Sequence, residues 1–381
     1  MRKTLQITGD SPYGGAGYLI LRWCQFLVVN GWQVDVLATN PQWVAMLKEI
    51  PGLKVIEDIL IPRDISPLKD AQAFSKLIKL LRRTRYDVVH TYTATPGFVG
   101  RLAARAAGVP VIVHHQAGWT VTEFSTPLQR IIYTPLEYLA VAASTCSICV
   151  SHAVERQAYD LHIAPPKKLV VICNGINPQP FFEACQNGAR EMFRGRLGIP
   201  DGHLLIGNTG RLAPQKDNQT LIEAMKIFQT LQPETPFTLL IAGEGQERAE
   251  LERLVDSLGL AGRVKLLGFV EDIPTFLAGV DMFISPSLWE GLSISLLEAM
   301  AAAKPIITTT ILPNAELIEH EVNGLLVSPR RPDQIAEAVQ RLWQDRALAV
   351  RCGEAARQRV VDHYSIERMF NETLELYQVQ K

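Results

Sequence analysis

The side chains best suited to chemistry lie in the stretch 286–305, where Glu290, Gly291, Leu292, Ser293, Ile294 and Glu298 occur close together. An apolar, strand-like run at 280–285 leads into it. Ser293 suits a helix N-cap, and Ile294, Leu297, Met300 and Ala301 recur at helical spacing. Gly291 lets a ligand approach the backbone, and the helix start leaves the amides of Leu292, Ser293 and Ile294 without intrahelical partners. Those amides, with the positive end of the helix dipole, form an anion site. Neither carboxylate can hold a phosphate, but each accepts hydrogen bonds from sugar hydroxyls. A diphosphate on the amides and hydroxyls on the acids together describe a nucleotide-sugar. The competing account is an amphipathic helix with two solvated glutamates.

Two cations fit the same picture. Thr209-Gly210-Arg211-Leu212 ends a strand, and Lys216 precedes a helix carrying Leu221, Ile222, Met225 and Phe228. Arg211 and Lys216 therefore stand where charge and amides can hold a diphosphate, although two ordinary surface residues would read the same. Ala242-Gly243-Glu244-Gly245 closes the next strand with a tight turn open to a ligand. Near the start, Ser11-Pro12-Tyr13-Gly14-Gly15-Ala16-Gly17 opens a helix at 18–30, a phosphate cradle or a dinucleotide fingerprint with Asp35. The fingerprint fits poorly, because its third glycine is absent and Asp35 lies inside a strand. Gly14 and Gly15 facing an interdomain cleft is the better reading. His90 ends the run Asp87-Val88-Val89, and His114 and His115 end the next strand, ahead of Gly118-Trp119. Doubly wound sheets bind ligands at such carboxyl edges, while single histidines are usually structural; both accounts stand. No histidine spacing resembles a zinc site.

Composition narrows the class. A chain of 381 residues, 47% hydrophobic and 20% charged, makes two globular domains with ample core. A net charge of −1 gives no support to a nucleic-acid partner. No apolar run reaches the length of a membrane span, and Met1-Arg2-Lys3 leads straight into a strand without a signal-peptide core, so a cytoplasmic protein is expected. Of six cysteines, Cys146 and Cys149 alone have a CxxC spacing. Within a strand that spacing points the two side chains to opposite faces and cannot clamp a metal.

These residues must be positioned by alternating strands and helices, the signature of parallel sheets wrapped by helices. Strands are expected at 5–8, 33–38, 55–59, 88–91, 109–113, 147–150 and 169–173, then at 204–209, 237–242, 264–267, 282–285, 305–309 and 324–327. A polar, turn-like segment at 184–188 marks the boundary: domain one at 1–187, domain two at 188–361. The helical pattern at 73–85 has Phe74, Leu77, Ile78 and Leu81 on one face, with Lys76, Lys79, Arg82 and Arg83 elsewhere. It reads as a crossover helix with a solvated basic face. Leu80, off the apolar stripe, also admits weak peripheral contact with an anionic membrane.

Taken in order, the motifs resemble the family 4 glycosyltransferases of the GT-B fold over nearly the whole chain. They are Gly14-Gly15-Ala16, Asp87-Val88-Val89-His90, Val171 to Ile176, Gly210-Arg211-Leu212 through Lys216, Gly243-Glu244-Gly245, Gly268-Phe269-Val270, Glu290 with Glu298, and Asn323 to Val327. The resemblance implies an α/β chain of two Rossmann-like domains whose parallel sheets face a central cleft, the first completed by a C-terminal helix at 362–381. It implies transfer of a sugar from a nucleoside-diphosphate donor, UDP or GDP type, to a hydroxyl-bearing acceptor. Retention at the anomeric carbon, without metal or cofactor, comes with it. Arg211 and Lys216 would grip the diphosphate, Glu298 accept from the ribose, Glu290 read the donor sugar, and the backbone near Val270 meet the base. Gly15, Gly210 and Gly243 fall on the donor side, and Gly14, His90 and Trp119 on the acceptor side.

Three departures stand against that pattern. Relatives often read His-Gly where this chain has Ala117-Gly118, so either His114 or His115 serves in its place or turnover is reduced. The loop after Glu290 reads Gly-Leu-Ser rather than Gly-Phe-Gly, keeping an amide and adding the Ser293 hydroxyl. Leu312-Pro313 replaces a Gly-Gly pair ahead of Glu316, and proline has no amide to donate. A nucleotide-sugar-binding protein without turnover, or a nucleotide-sugar isomerase, is the alternative.

Overall fold

The structure, a computed structural model, describes residues 2–10, 14–122 and 125–378. Its first sheet has seven strands: β1 (Lys3–Gly9), β2 (Gln33–Ala38), β3 (Leu53–Ile56), β4 (Val88–Tyr92), β5 (Val111–Gln116), β6 (Cys146–Cys149) and β7 (Leu169–Val171). They pair in the order β3-β2-β1-β4-β5-β6-β7, all parallel. The second sheet comprises β8 (Leu204–Thr209), β9 (Phe237–Ala242), β10 (Val264–Gly268), β11 (Met282–Ser285), β12 (Ile306–Thr309) and β13 (Leu325–Val327), ordered β10-β9-β8-β11-β12-β13 and again parallel.

Helices cover both faces of a parallel sheet, which is why the central strands read as near-continuous apolar runs. β4, β8, β9, β11 and β12 are buried at every position. In the first unit Leu5, Ile7 and Val89 meet Leu77, Leu81 and Ala103. In the second, Ile206, Leu239 and Ile284 share a core with Phe228 and Leu342. Gly9 sits at a register shift of β1 with φ +62, where a Cβ would press on the Ile61 carbonyl and the Pro96 ring.

The chain divides into two compact units, Met1–Asn174 with Arg368–Lys381, and Gly175–Glu367. The division thus falls just after β7, not at 187/188. The Gln179–Gln186 helix packs on the Ala189–Arg196, Ile273–Gly279 and Ile294–Ala301 helices, so the polar turn at 184–188 is a surface corner of the second unit. A bridge between Ile176 and Ser365 precedes the Ile366–Leu376 helix, and from Arg368 on the chain belongs to the first unit. There Phe370 and Tyr377 pack on Trp23, with ring centroids 5.2 and 5.5 Å away.

Two expectations are corrected. β4 runs on to Tyr92 and β5 to Gln116, so His90, His114 and His115 lie within strands rather than at their ends. The parallel ladder continues through Tyr92–His115 and Gln116–Cys149 despite the polar side chains. The helix expected at 73–85 spans Pro67–Thr84, and its Leu80 is half-buried against the first core, which removes it as a membrane-facing side chain. Among the described residues no helix is long and apolar enough to cross a membrane.

Candidate functional site

In the second unit the strand order reverses between β8 and β11, the switch point where open α/β sheets leave room for a ligand beyond their carboxyl ends. Arg211 and Lys216 follow β8, and Glu290 follows β11. Pro214–Lys216 forms a short 3-10 turn, and Asp217 adopts φ 47 before the Asn218–Leu231 helix begins. That turn presents Lys216, whose Nζ lies 2.5 Å from Glu290 Oε1. Both side chains are mostly buried, at 14% and 8% exposure. The second Glu290 oxygen accepts from Gln215 Nε2 at 3.2 Å, and Gln215 Oε1 accepts from Arg211 at 3.0 Å.

Glycines let the three strand-end loops stack tightly. Gly210 donates to Ala242 O at 3.0 Å, and Gly243 to Gly268 O at 2.7 Å. Gly243 has φ +157, and a Cβ there would run into the Gly210 carbonyl. At Gly210, φ +151, a Cβ would stand 3.1 Å from Lys216 Cε, so this glycine seats the lysine stem. Val270 follows in the loop after β10 and is half-buried.

Ser293 caps the Ile294–Ala301 helix as expected, its Oγ accepting from Leu296 N at 3.4 Å. Glu298, on that helix, keeps part of its surface accessible. Burial of its surroundings nevertheless pushes its carboxyl up to about 8, with Lys216 opposing the shift. Lys216 therefore acts electrostatically on both carboxylates. The β11 loop is pinned from β12: Thr308 Oγ1 donates to Ser285 O at 2.8 Å and Thr309 Oγ1 to Ser287 O at 2.6 Å. Asn314 in turn donates to both threonine hydroxyls, at 2.9 and 3.1 Å. Pro313 lies buried in the first turn of the Leu312–Leu317 helix, a position that needs no amide.

The first-unit residues tell a different story. Gly14 is the N-cap and Gly15 the first residue of the Gly15–Val29 helix, with open space around Gly14; Ser11, Pro12 and Tyr13 lie outside the described residues. His90 is buried, its Nδ1 2.8 Å from Tyr377 Oη. That hydroxyl accepts from Gln6 Nε2 and Trp23 Nε1, both at 3.2 Å, and so gives its own hydrogen to His90. His114 is buried against Gly97, with Nδ1 2.8 Å from Thr91 Oγ1. His115 is half-buried and 3.2 Å from Asn174 Oδ1. Burial holds all three imidazoles neutral, His115 at about 4. Trp119 is buried and donates to Val154 O at 2.7 Å, so its acceptor-side placement gives way to a packing role. Asp35, 1% exposed, accepts from Tyr86 and is structural. The structure thus brings Arg211, Lys216, Glu290 and Glu298 together, and it places His90, His114 and Trp119 inside the first unit. Sequence reading missed Gln215, whose one signal is adjacency to Lys216.

Comparison with known proteins agrees with this geometry. The family described as "Glycosyltransferase Family 4" matches residues 13–180, and "Glycosyl transferases group 1" matches residues 189–359. The chain is 31% identical to a UDP-Gal:alpha-D-GlcNAc-diphosphoundecaprenol alpha-1,3-galactosyltransferase of Escherichia coli, over 83% of this chain and 81% of the relative. It is 30% identical to a glycosyltransferase of Methanocaldococcus jannaschii over 99% and 98% of the two chains. Among solved structures, HepE of Anabaena in complex with UDP-glucose superposes with a TM-score of 0.86 at 20% identity, covering both chains entirely. Two Rossmann-like units, a cation and carboxylate cluster at the second switch point, and these relatives lead to one assignment: the chain belongs to the family 4 glycosyltransferases of the GT-B fold.

Proposed function

We propose that the chain transfers a sugar from a nucleoside-diphosphate donor to a hydroxyl acceptor, with retention and without metal or cofactor. The observation that carries the reading is the Lys216–Glu290 pair beside Glu298 at the β8/β11 switch point. Arg211 and Lys216 take the diphosphate, Glu298 the ribose hydroxyls and Glu290 the donor sugar. Gly243, Val270 and the helix-start residues Gly291 to Ile294 are assigned to the donor as well. The bond from the anomeric carbon to the phosphate oxygen breaks, and its electrons go to the phosphate, where fixed positive charge stabilises them. The acceptor hydroxyl enters on the same face and its proton leaves with the diphosphate, so no strong protein nucleophile is needed. Of the two histidines assigned to the place of the family histidine, His115 is the better candidate, because His114 is packed against Gly97.

A uridine donor comes first: the Escherichia coli relative is named for UDP-Gal, and the HepE complex holds UDP-glucose. Related enzymes are named for acceptors as different as a lipid diphosphate and 2-deoxystreptamine. The Escherichia coli and 2-deoxystreptamine relatives are named as transferases, and none of these names supports the binding-protein or isomerase account. Six free cysteines suit a reducing, cytoplasmic setting. Weak membrane contact belongs on the Pro127–Ala143 helix, which exposes Leu128, Ile131, Ile132 and Leu139. Titrating UDP-, GDP- and intact sugar donors into the wild type and Lys216→Ala tests the core of this reading. The variant is expected to lose at least about tenfold in donor affinity; unchanged affinity removes the site assignment.

A further inference from the structure

The structure assigns to Gln215 a positioning role that joins the two halves of the donor site, an inference that rests on the donor reading above. Gln215 carries neither charge nor nucleophile, yet its interactions span the switch point. On its own loop, Oε1 accepts from Arg211 at 3.0 Å. Across the switch point, Nε2 donates to Trp289 O at 2.9 Å and to Glu290 Oε2 at 3.2 Å. Its main-chain carbonyl accepts from Leu288 N at 2.8 Å, tying the same two loops a third time.

The partners dictate which way the amide points, since a guanidinium only donates and a main-chain carbonyl only accepts. Glu290 is then held at both oxygens, one by Lys216 and one by Gln215. A carboxylate fixed at both oxygens cannot swing toward solvent or turn its second oxygen onto Lys216. Gln215 therefore keeps the sugar-reading carboxylate in register with the two phosphate-gripping cations, acting through Glu290 rather than on the reacting atoms. Its influence should fall on donors that carry a sugar, and much less on the nucleotide alone.

Two variants separate this role from a general need for the fold. Gln215→Met keeps the chain length and the main-chain bond to Leu288 while removing every side-chain hydrogen bond. Gln215→Glu keeps an acceptor for Arg211 but turns an acceptor toward Trp289 O and Glu290. In Gln215→Met, kcat/KM for the intact nucleotide-sugar is expected to fall at least about tenfold while UDP affinity stays within about threefold. Gln215→Glu should lose more. In a Glu290→Ala background the Gln215→Met change should cost nothing further, as two residues acting through one contact require. Unchanged kcat/KM in Gln215→Met overturns the inference, and so do additive losses in the double variant. Equal losses for UDP and intact donor, with a lower thermal midpoint, also overturn it by assigning Gln215 to the fold alone. A wild-type chain that binds neither UDP nor GDP overturns the donor reading itself, and this inference with it.

Discussion

Glu298 carries a pH signature that separates its part in the fold from the ribose-binding role proposed for it. Burial raises its carboxyl from an ordinary 4.5 to about 8. Between those values the folded chain holds a proton that the unfolded chain has released. The stability contributed by this group therefore falls as pH rises from 4.5 to about 8, and is flat above. Donor binding runs the other way, because a carboxylate accepts from two ribose hydroxyls more strongly than a protonated acid does. UDP affinity should thus climb with pH through about 8 in the wild type. In Glu298→Gln both slopes should vanish, with UDP affinity held at or below the low-pH wild-type level. Calorimetry from pH 6 to pH 9, at roughly unit steps across the titration, checks this; a wild-type affinity that falls with pH contradicts the ribose role.

At the scale of elements, all thirteen strands among the described residues were legible in the sequence, because each carries a short apolar run and the central ones are buried along their length. Their ends were less so. His114, His115 and Gln116 read as a strand exit, yet they stay in the ladder because neighbouring strands supply partners that local polarity does not reveal. The unit boundary was misplaced for a related reason: composition marks the corner at 184–188, whereas packing of the Gln179–Gln186 helix decides the division. The four charged residues of the donor site could be read from strand ends and helix starts. Gln215 could not, since its role depends on a loop 75 positions away. The helix proposed for membrane contact was likewise hidden, because exposure is set by what a helix fails to pack against. The Pro127–Ala143 helix buries Glu137, Ala140 and Val141 and is linked to Arg101 through Glu137 at 4.0 Å. Ile131 and Leu139, 72% and 51% exposed, make no such link. Ile131→Glu combined with Leu139→Glu should abolish co-flotation with anionic vesicles and leave UDP affinity unchanged. Wild-type protein that does not float with vesicles would remove the membrane contact.

Over the whole molecule, the histidines of the first sheet and Glu298 of the second unit have linkages of opposite sign. The first unit holds His90 and His114 buried and His115 half-buried, each pushed below 6.5 by burial. The unfolded chain takes up protons on these groups as pH falls below 6.5, while the folded unit refuses them. Their contribution to stability is complete above 6.5 and is lost as pH falls toward the folded values, about 4 for His115. In the second unit burial raises Glu298 to about 8, so mild acid favours the folded state through it; Asp217 and Glu247 are raised as well, chiefly by burial. His203, lowered by burial and by Arg194, opposes that trend. Asp281 is lowered below 3.8 and titrates outside the window. A group protonated in only one of the two states contributes about 1.4 kcal/mol per pH unit. Between about pH 7 and pH 5, spanning the ordinary histidine range, hydrogen-exchange protection corrected for intrinsic rates should fall in β1, β4 and β5 and hold or rise in β8, β9 and β11. His114→Asn should lessen the first-unit fall without altering the second. Equal loss of protection in both sheets would show that net charge, rather than these buried groups, governs the response to acid.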